Sequence, residues 1–205
     1  MPDEAATVFV VDDDEQARKS VCALVRSMGF PVESFASAEE FLAAYVESRP
    51  GCLVTDFRMR GMNGLELREE LVRRQLPLPF IVLTAHARTP LTVRAMQLGA
   101  VTLLDKPYAD DDLWDAIRRA LADDAAGRNH QLRRREARDR LETLTSGERQ
   151  VLEMLTDGKP NKQISIELGV SMRTVESRRH EIFTKLGTTS LTELFRLVAD
   201  ARGQD

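Results

Sequence analysis

Leu53-Val54-Thr55-Asp56 is a short apolar run that ends on a carboxylate, as expected of a buried strand that delivers one acid to a crevice at a sheet edge. Two other runs end in a similar way. Val8-Phe9-Val10-Val11 leads into Asp12-Asp13-Asp14, and residues 101–104 lead into Asp105-Lys106-Pro107. As neighbouring parallel strands these runs would bring several carboxylates and one ammonium to the same edge. Such a grouping suits a divalent cation and a phosphoryl group.

Working outward, strands are expected at Thr7–Val11, Val32–Phe35, 52–55, 80–83 and 101–104, each rich in Val, Ile, Leu or Phe and bounded by turn residues. Amphipathic stretches lie between and after them. The first, from about Glu15 to Met28, gathers Ala17, Val21, Leu24, Val25 and Met28 on one face, with Gly29 placed to close it. Ser37 and Glu40 form a capping box that opens the second, with Phe41, Leu42 and Val46 facing inward. The third carries Leu65, Leu67 and Leu71. The fourth carries Leu91, Val93, Ala95, Met96 and Leu98, and the fifth Leu113, Ile117 and Leu121. Strict alternation over residues 1–122 predicts an α/β unit, a five-stranded doubly wound parallel sheet covered on both faces. Its ligand crevice should lie beyond the carboxyl ends of strands one and three, where strand order reverses.

Residues 123–143 change character, with many charges and few large apolar side chains. They are expected to form a charged, solvated helical linker interrupted at Gly127-Arg128-Asn129. Leu132, Ala137, Leu141 and Leu144 do not sustain a heptad. Residues 144–205 read as all-helical. Thr145 and Glu148 form a capping box ahead of Val151, Leu152 and Leu155, and Gly158 ends that helix. A short helix over Asn161–Leu168, a turn at Gly169-Val170, and a longer helix capped by Ser171 give a helix-turn-helix. Ser190 and Glu193 open a last helix with Leu191, Leu194, Leu197 and Val198, which completes a four-helix domain.

The net charge of −4 divides unevenly: residues 1–122 carry 19 acidic and 14 basic side chains, whereas 144–205 balance at nine of each. Bulk charge therefore does not attract nucleic acid to the first part, and any such contact must come from a local face of the last. The N-terminal Met1-Pro2-Asp3-Glu4 carries acid where a signal peptide carries base, and no apolar run approaches the roughly 18 residues of a membrane span. A cytoplasmic protein with no membrane partner is expected. Cys22 and Cys52 read as reduced core thiols.

At the crevice, Asp13 and Asp56 are the expected direct ligands of Mg2+, with Asp12 acting through water. Gathered carboxylates repel one another, and a cation relieves that repulsion. Asp56 is the candidate nucleophile for phosphoryl transfer, Lys106 the neutralising point charge, and Thr84 the hydroxyl donor to a phosphoryl oxygen.

On these residues the chain resembles a known family. Val-Val-Asp12-Asp13, Thr-Asp56 through Gly64, Leu-Thr84-Ala and Asp-Lys106-Pro107 look like the CheY-like receiver domain of two-component response regulators. Leu144 through Glu148, Asn161 through Ile164, Thr174 through Ile182 and Lys185-Leu186-Gly187 look like the LuxR/NarL-type DNA-binding domain, and the pairing is most similar to the FixJ type. The resemblance implies a transcriptional regulator that is not an enzyme, whose Asp56 is phosphorylated by a sensor histidine kinase. It further implies that the Arg58 carbonyl completes the Mg2+ site and that the Lys106–Pro107 bond is cis. Three positions depart from the pattern. Leu103 stands at the switch position usually held by an aromatic, Arg60 where proline is common, and Arg88 in the loop beyond Thr84. The alternative is a phosphorylation-independent DNA-binding regulator with a degenerate receiver. A phosphatase working through Asp56 would need a second acid two residues on, where Arg58 stands.

On a helical wheel of 171–186, Val175, Ile182, Phe183 and Leu186 share one side, with Arg179 along the same stripe. Arg173, Glu176, Ser177, His180 and Thr184 lie opposite, on the face a recognition helix turns to the major groove. The resemblance places base contacts at Glu176, Ser177 and His180. Lys162, Arg173, Thr174, Arg178 and Lys185 are better suited to phosphates. In the family the last helix also pairs two DNA-binding domains, so Leu194 and Val198 are homodimer candidates, on DNA or after phosphorylation. The implied partners are double-stranded promoter DNA, the kinase and RNA polymerase.

Overall fold

A computed structural model of the chain describes residues 5–46, 49–85 and 89–203. Arg88 lies outside the described residues. Two compact units form, Met1–Gly127 and Arg128–Asp205.

In the first unit β1 (Thr7–Val11), β2 (Val32–Phe35), β3 (Gly51–Asp56), β4 (Phe80–Thr84) and β5 (Ala100–Asp105) make one parallel sheet in the order β2-β1-β3-β4-β5. The helices α1 (Glu15–Ser27), α2 (Ala38–Ala44), α3 (Gly64–Arg73), α4 (Thr89–Gln97) and α5 (Asp110–Glu142) follow the strands in turn. Side chains alternate across a strand, so each apolar run supplies both faces at once. Phe9, Val11, Leu53, Phe80 and Val82 pack with Phe41 of α2, Leu67 and Leu71 of α3 and Ala95 of α4. Val8, Val10, Cys52, Val54, Ile81 and Leu83 pack with Val21 and Val25 of α1 and Leu113 and Ile117 of α5. Strand order reverses between β1 and β3, and the register aligns their carboxyl ends, Val11 beside Thr55, Asp56 beside Leu83 and Thr84 beside Asp105.

The later strands run one residue further than expected at one or both ends, because ladder bonds reach Gly51, Asp56, Thr84, Ala100 and Asp105. Val46 is 64% exposed and lies beyond α2, which ends at Ala44, so it does not face inward. Ser37 caps α2, but Glu40 accepts the N–H of Ala36 rather than that of Ser37, an offset version of the expected box. On α4 only Ala95 is buried, and Val93 and Met96 lie in solvent. No break occurs at Gly127: α5 is continuous, and a β-carbon at Gly127 would meet nothing within 4 Å. Nor is segment 123–143 uniformly solvated. Asp124 is buried and accepts the Gly51 N–H at 2.9 Å, and Ala137 belongs to the core of the second unit.

The second unit adds α6 (Ser146–Thr156), α7 (Asn161–Leu168), α8 (Met172–Leu186) and α9 (Leu191–Arg202). The Thr145–Glu148 capping box starts α6, Ser171 caps α8 and Ser190 caps α9. Gly169 and Gly187 end α7 and α8 with left-handed backbone, at φ of 64° and 63°, which glycine adopts without steric cost. Val151, Leu155, Ile164, Val175, Ile182, Leu186 and Leu194 form the core.

Candidate functional site

β1 and β3 end side by side, and the turn after each is shaped by a side-chain oxygen that accepts main-chain N–H groups. Asp14 caps α1 by accepting the N–H groups of Gln16 and Ala17. Asn63 caps α3 in a reciprocal box with Glu66. The first helical position, Gly64, needs to lack a side chain, since a β-carbon there would stand 2.5 Å from the Asp56 carbonyl oxygen. The β3–α3 turn thus closes tightly against the end of β3 and leaves the Asp56 carboxylate at the crevice.

Asp56 and Asp12 are buried. Lys106, at the start of the turn after β5, places Nζ 2.6 Å from Asp56 Oδ1 and 3.2 Å from Asp12 Oδ2. Asp56 Oδ2 accepts the Arg58 N–H at 2.7 Å, and Asp12 Oδ1 accepts the Asp14 N–H at 2.9 Å. Burial raises the Asp12 pKa above the ordinary carboxylate value, more than the Asp14 N–H and the Lys106 charge lower it. Burial pulls the Lys106 ammonium down, but its hydrogen bond to Asp56 and the charges of Asp12 and Asp56 outweigh this and leave it raised. Thr84 is buried at the end of β4, its carbonyl accepting the Lys106 N–H at 2.6 Å, and the Lys106–Pro107 bond is cis. Leu103 pairs with Val82 and is half-buried against the cluster that holds Phe80 and Ala95.

Asp13 behaves differently from the other two acids. Its Oδ2 accepts the main-chain N–H of Arg60 at 3.0 Å, with the Arg60 Nε 3.9 Å away. Among the described residues no three His, Cys, Asp or Glu side chains converge as a metal site. Lys106 spans Asp12 and Asp56, and Asp13 is turned to the β3–α3 turn. In kind the donors fit a hard divalent cation, with three carboxylates against one ammonium at one sheet edge. The Arg60 N–H was not foreseen. Any residue but proline supplies that donor, but its acceptor lies 47 positions earlier in the chain.

In the second unit Val175, Ile182 and Leu186 of α8 are buried, while Arg173, Glu176, Ser177, His180 and Thr184 are exposed, as the wheel predicts. Lys162 is exposed on α7, and Arg179 is half-buried and bound to Asn161 Oδ1. Thr174 is half-buried and hydrogen bonded to Ser171 at the start of α8. Two expected phosphate contacts are already engaged. Lys185 Nζ lies 2.8 Å from both carboxylate oxygens of the buried Glu148, and the Arg178 guanidinium packs over Gly147. The Lys185 hydrogen bond holds the Glu148 pKa below the ordinary value. Leu194 and Val198, the expected pairing residues of the last helix, are both buried in the core of this unit. The apolar side chains that α9 exposes are Leu191 and Phe195.

Comparison with known proteins agrees with both halves. Residues 8–118 match the family described as response regulator receiver domain, and residues 142–198 match bacterial regulatory proteins of the luxR family. The transcriptional regulatory protein FixJ of Azorhizobium caulinodans is 43% identical over 194 residues, covering 95% of this chain and 92% of the relative. Among solved structures, that of response regulator StyR is 42% identical with a TM-score of 0.85, covering 95% of this chain and 98% of its own. Full-length FixJ from B. japonicum is 36% identical with a TM-score of 0.57, covering 98% of both chains. These relatives are regulators rather than enzymes, and the receiver family generally binds Mg2+ at its phosphorylation site. No helix among the described residues is long and apolar enough to cross a membrane. The chain therefore belongs to the FixJ-like two-component response regulators, which join a receiver domain to a LuxR-type DNA-binding domain.

Proposed function

We propose that Asp56 is the phosphoacceptor and that a sensor histidine kinase is the donor. The supporting observation is the Lys106 ammonium spanning Asp56 and Asp12, which holds the Asp56 carboxylate oriented and close to a charge that can pass to a phosphoryl oxygen. In the step, Asp56 Oδ1 attacks phosphorus and the P–N bond of the phosphohistidine breaks, its electron pair staying on nitrogen. Lys106 Nζ leaves Asp56 Oδ1 for a phosphoryl oxygen, and the Thr84 hydroxyl donates to another. Asp12, Asp13, Asp56 and the Arg58 carbonyl would hold Mg2+, which, when bound, neutralises the phosphoryl oxygens that the carboxylates would otherwise repel.

We divide the chain into a receiver (1–122), a charged helical linker (123–143) and a DNA-binding domain (144–205). α8 enters the major groove with Glu176, Ser177 and His180 toward bases. Lys162, Arg173 and Thr174 lie toward phosphates. Glu176 suits a cytosine amino group. Two chains pair on DNA, and the apolar groups that α9 offers for this are Leu191 and Phe195. Promoter DNA, and through it RNA polymerase, places the protein in the cytoplasm.

The test uses the full-length chain and a duplex selected by that chain from random DNA. Beryllofluoride, a phosphoryl mimic, is expected to tighten binding at least fivefold, and Asp56→Asn is expected to abolish the gain. Equal affinity with and without the mimic would instead support a receiver that serves as a scaffold only.

A further inference from the structure

We propose that Arg60 sets how readily the crevice takes up a divalent cation, because its main-chain N–H holds the Asp13 carboxylate out of the ligand set. The inference rests on Asp13 being a cation ligand. Of the three acids at the sheet edge, Asp12 and Asp56 are joined through Lys106 Nζ, whereas Asp13 Oδ2 accepts the Arg60 N–H at 3.0 Å. A carboxylate bound to an N–H gives up part of that interaction when it turns to a cation, so the hydrogen bond competes with the metal. The guanidinium adds little. Its side chain is 98% exposed and Nε stands 3.9 Å from the carboxylate, a distance at which water screens the pair. The main-chain donor therefore carries the effect, and proline is the one residue that cannot supply it. Arg60 is accordingly a positioning residue, acting on the cation site through Asp13.

Mg2+ binding to the full-length chain by titration calorimetry separates the possibilities. Arg60→Pro is expected to bind Mg2+ about fivefold to tenfold more tightly than the unsubstituted chain, whereas Arg60→Ala, which keeps the N–H, should stay within about twofold. In the unsubstituted chain, the Arg60 amide proton resonance should move upfield as Mg2+ saturates, since its carboxylate acceptor leaves. This readout does not depend on any variant folding. Unchanged or weaker binding in Arg60→Pro, or an amide resonance indifferent to Mg2+, overturns the proposal. Asp13→Asn is the control for the underlying reading. If it binds Mg2+ as the unsubstituted chain does, Asp13 is no ligand and both statements fall. If it loses affinity while Arg60→Pro is unchanged, only the role of Arg60 falls.

Discussion

Asp12 carries a conflict that defines the crevice at the scale of single residues. Its carboxylate is buried, and burial raises its pKa despite Lys106 and the Asp14 N–H. A carboxylate with a raised folded pKa binds protons more tightly in the folded chain than in the unfolded one. Stability at this site therefore falls as pH rises from the ordinary carboxylate range through the raised value, and is level above it. Removing that desolvated charge should help the metal-free protein. In chelator, Asp12→Asn is expected to be more stable at neutral pH, since it removes a charge that burial opposes and leaves Lys106 paired with Asp56. With Mg2+ present the variant should lose most of the further stabilisation that the cation gives the unsubstituted chain. Thermal melting with and without Mg2+ checks both, and a variant less stable in chelator would show that the Lys106 contact outweighs burial. The acids themselves are legible in the sequence because each ends an apolar run. Which oxygen each one offers is not, since that depends on partners such as Lys106 and Arg60 lying tens of positions away.

Among the elements, α8 divides its cations into two groups that the sequence does not distinguish. Arg173 lies exposed in the first turn, but Lys185 in the last turn is held by Glu148, which also closes the Thr145 capping box of α6. A free cation and a captured one should fail differently. Arg173→Ala is expected to weaken binding to all duplexes alike and to reduce the slope of log affinity against log salt by about one unit. Lys185→Ala should leave that slope unchanged and destabilise the domain by about 1–2 kcal/mol, because Glu148 remains buried with its capping-box bond but without its cation. Equilibrium binding across a salt series, together with melting of each variant, separates them. A slope reduced as much by Lys185→Ala as by Arg173→Ala would return Lys185 to the DNA contacts. The two faces of α8 were readable from the 3.6-residue period, which fixes what can be buried. The Glu148 contact was not, because the partner lies 37 positions earlier, on another helix. The same limit explains Leu194 and Val198, whose apolar spacing fits a core and a dimer face equally well.

For the molecule as a whole, the sheet was the most legible feature. All five strands are legible as short runs between turn residues, and the reversal of strand order between β1 and β3 is the one expected of a doubly wound sheet. Segment 123–143 was the least legible. Gly127 lowers helix propensity by about 1 kcal/mol relative to alanine, which marks a break in isolation. Here α5 continues through it, between residues that pack at Asp124 and at Ala137. The proposed function makes both units depend on one reaction at one carboxylate, and that reaction can be read without reference to DNA. The full-length chain is incubated with acetyl phosphate, a small phosphoryl donor, and its intact mass is measured with Mg2+, with chelator, and for Asp56→Asn. The expected result is one added phosphoryl group in Mg2+ alone, removed by hydroxylamine as an acyl phosphate is, and none in chelator or in Asp56→Asn. Equal phosphorylation of Asp56→Asn, or no mass gain in the unsubstituted chain with Mg2+, would contradict Asp56 as the phosphoacceptor.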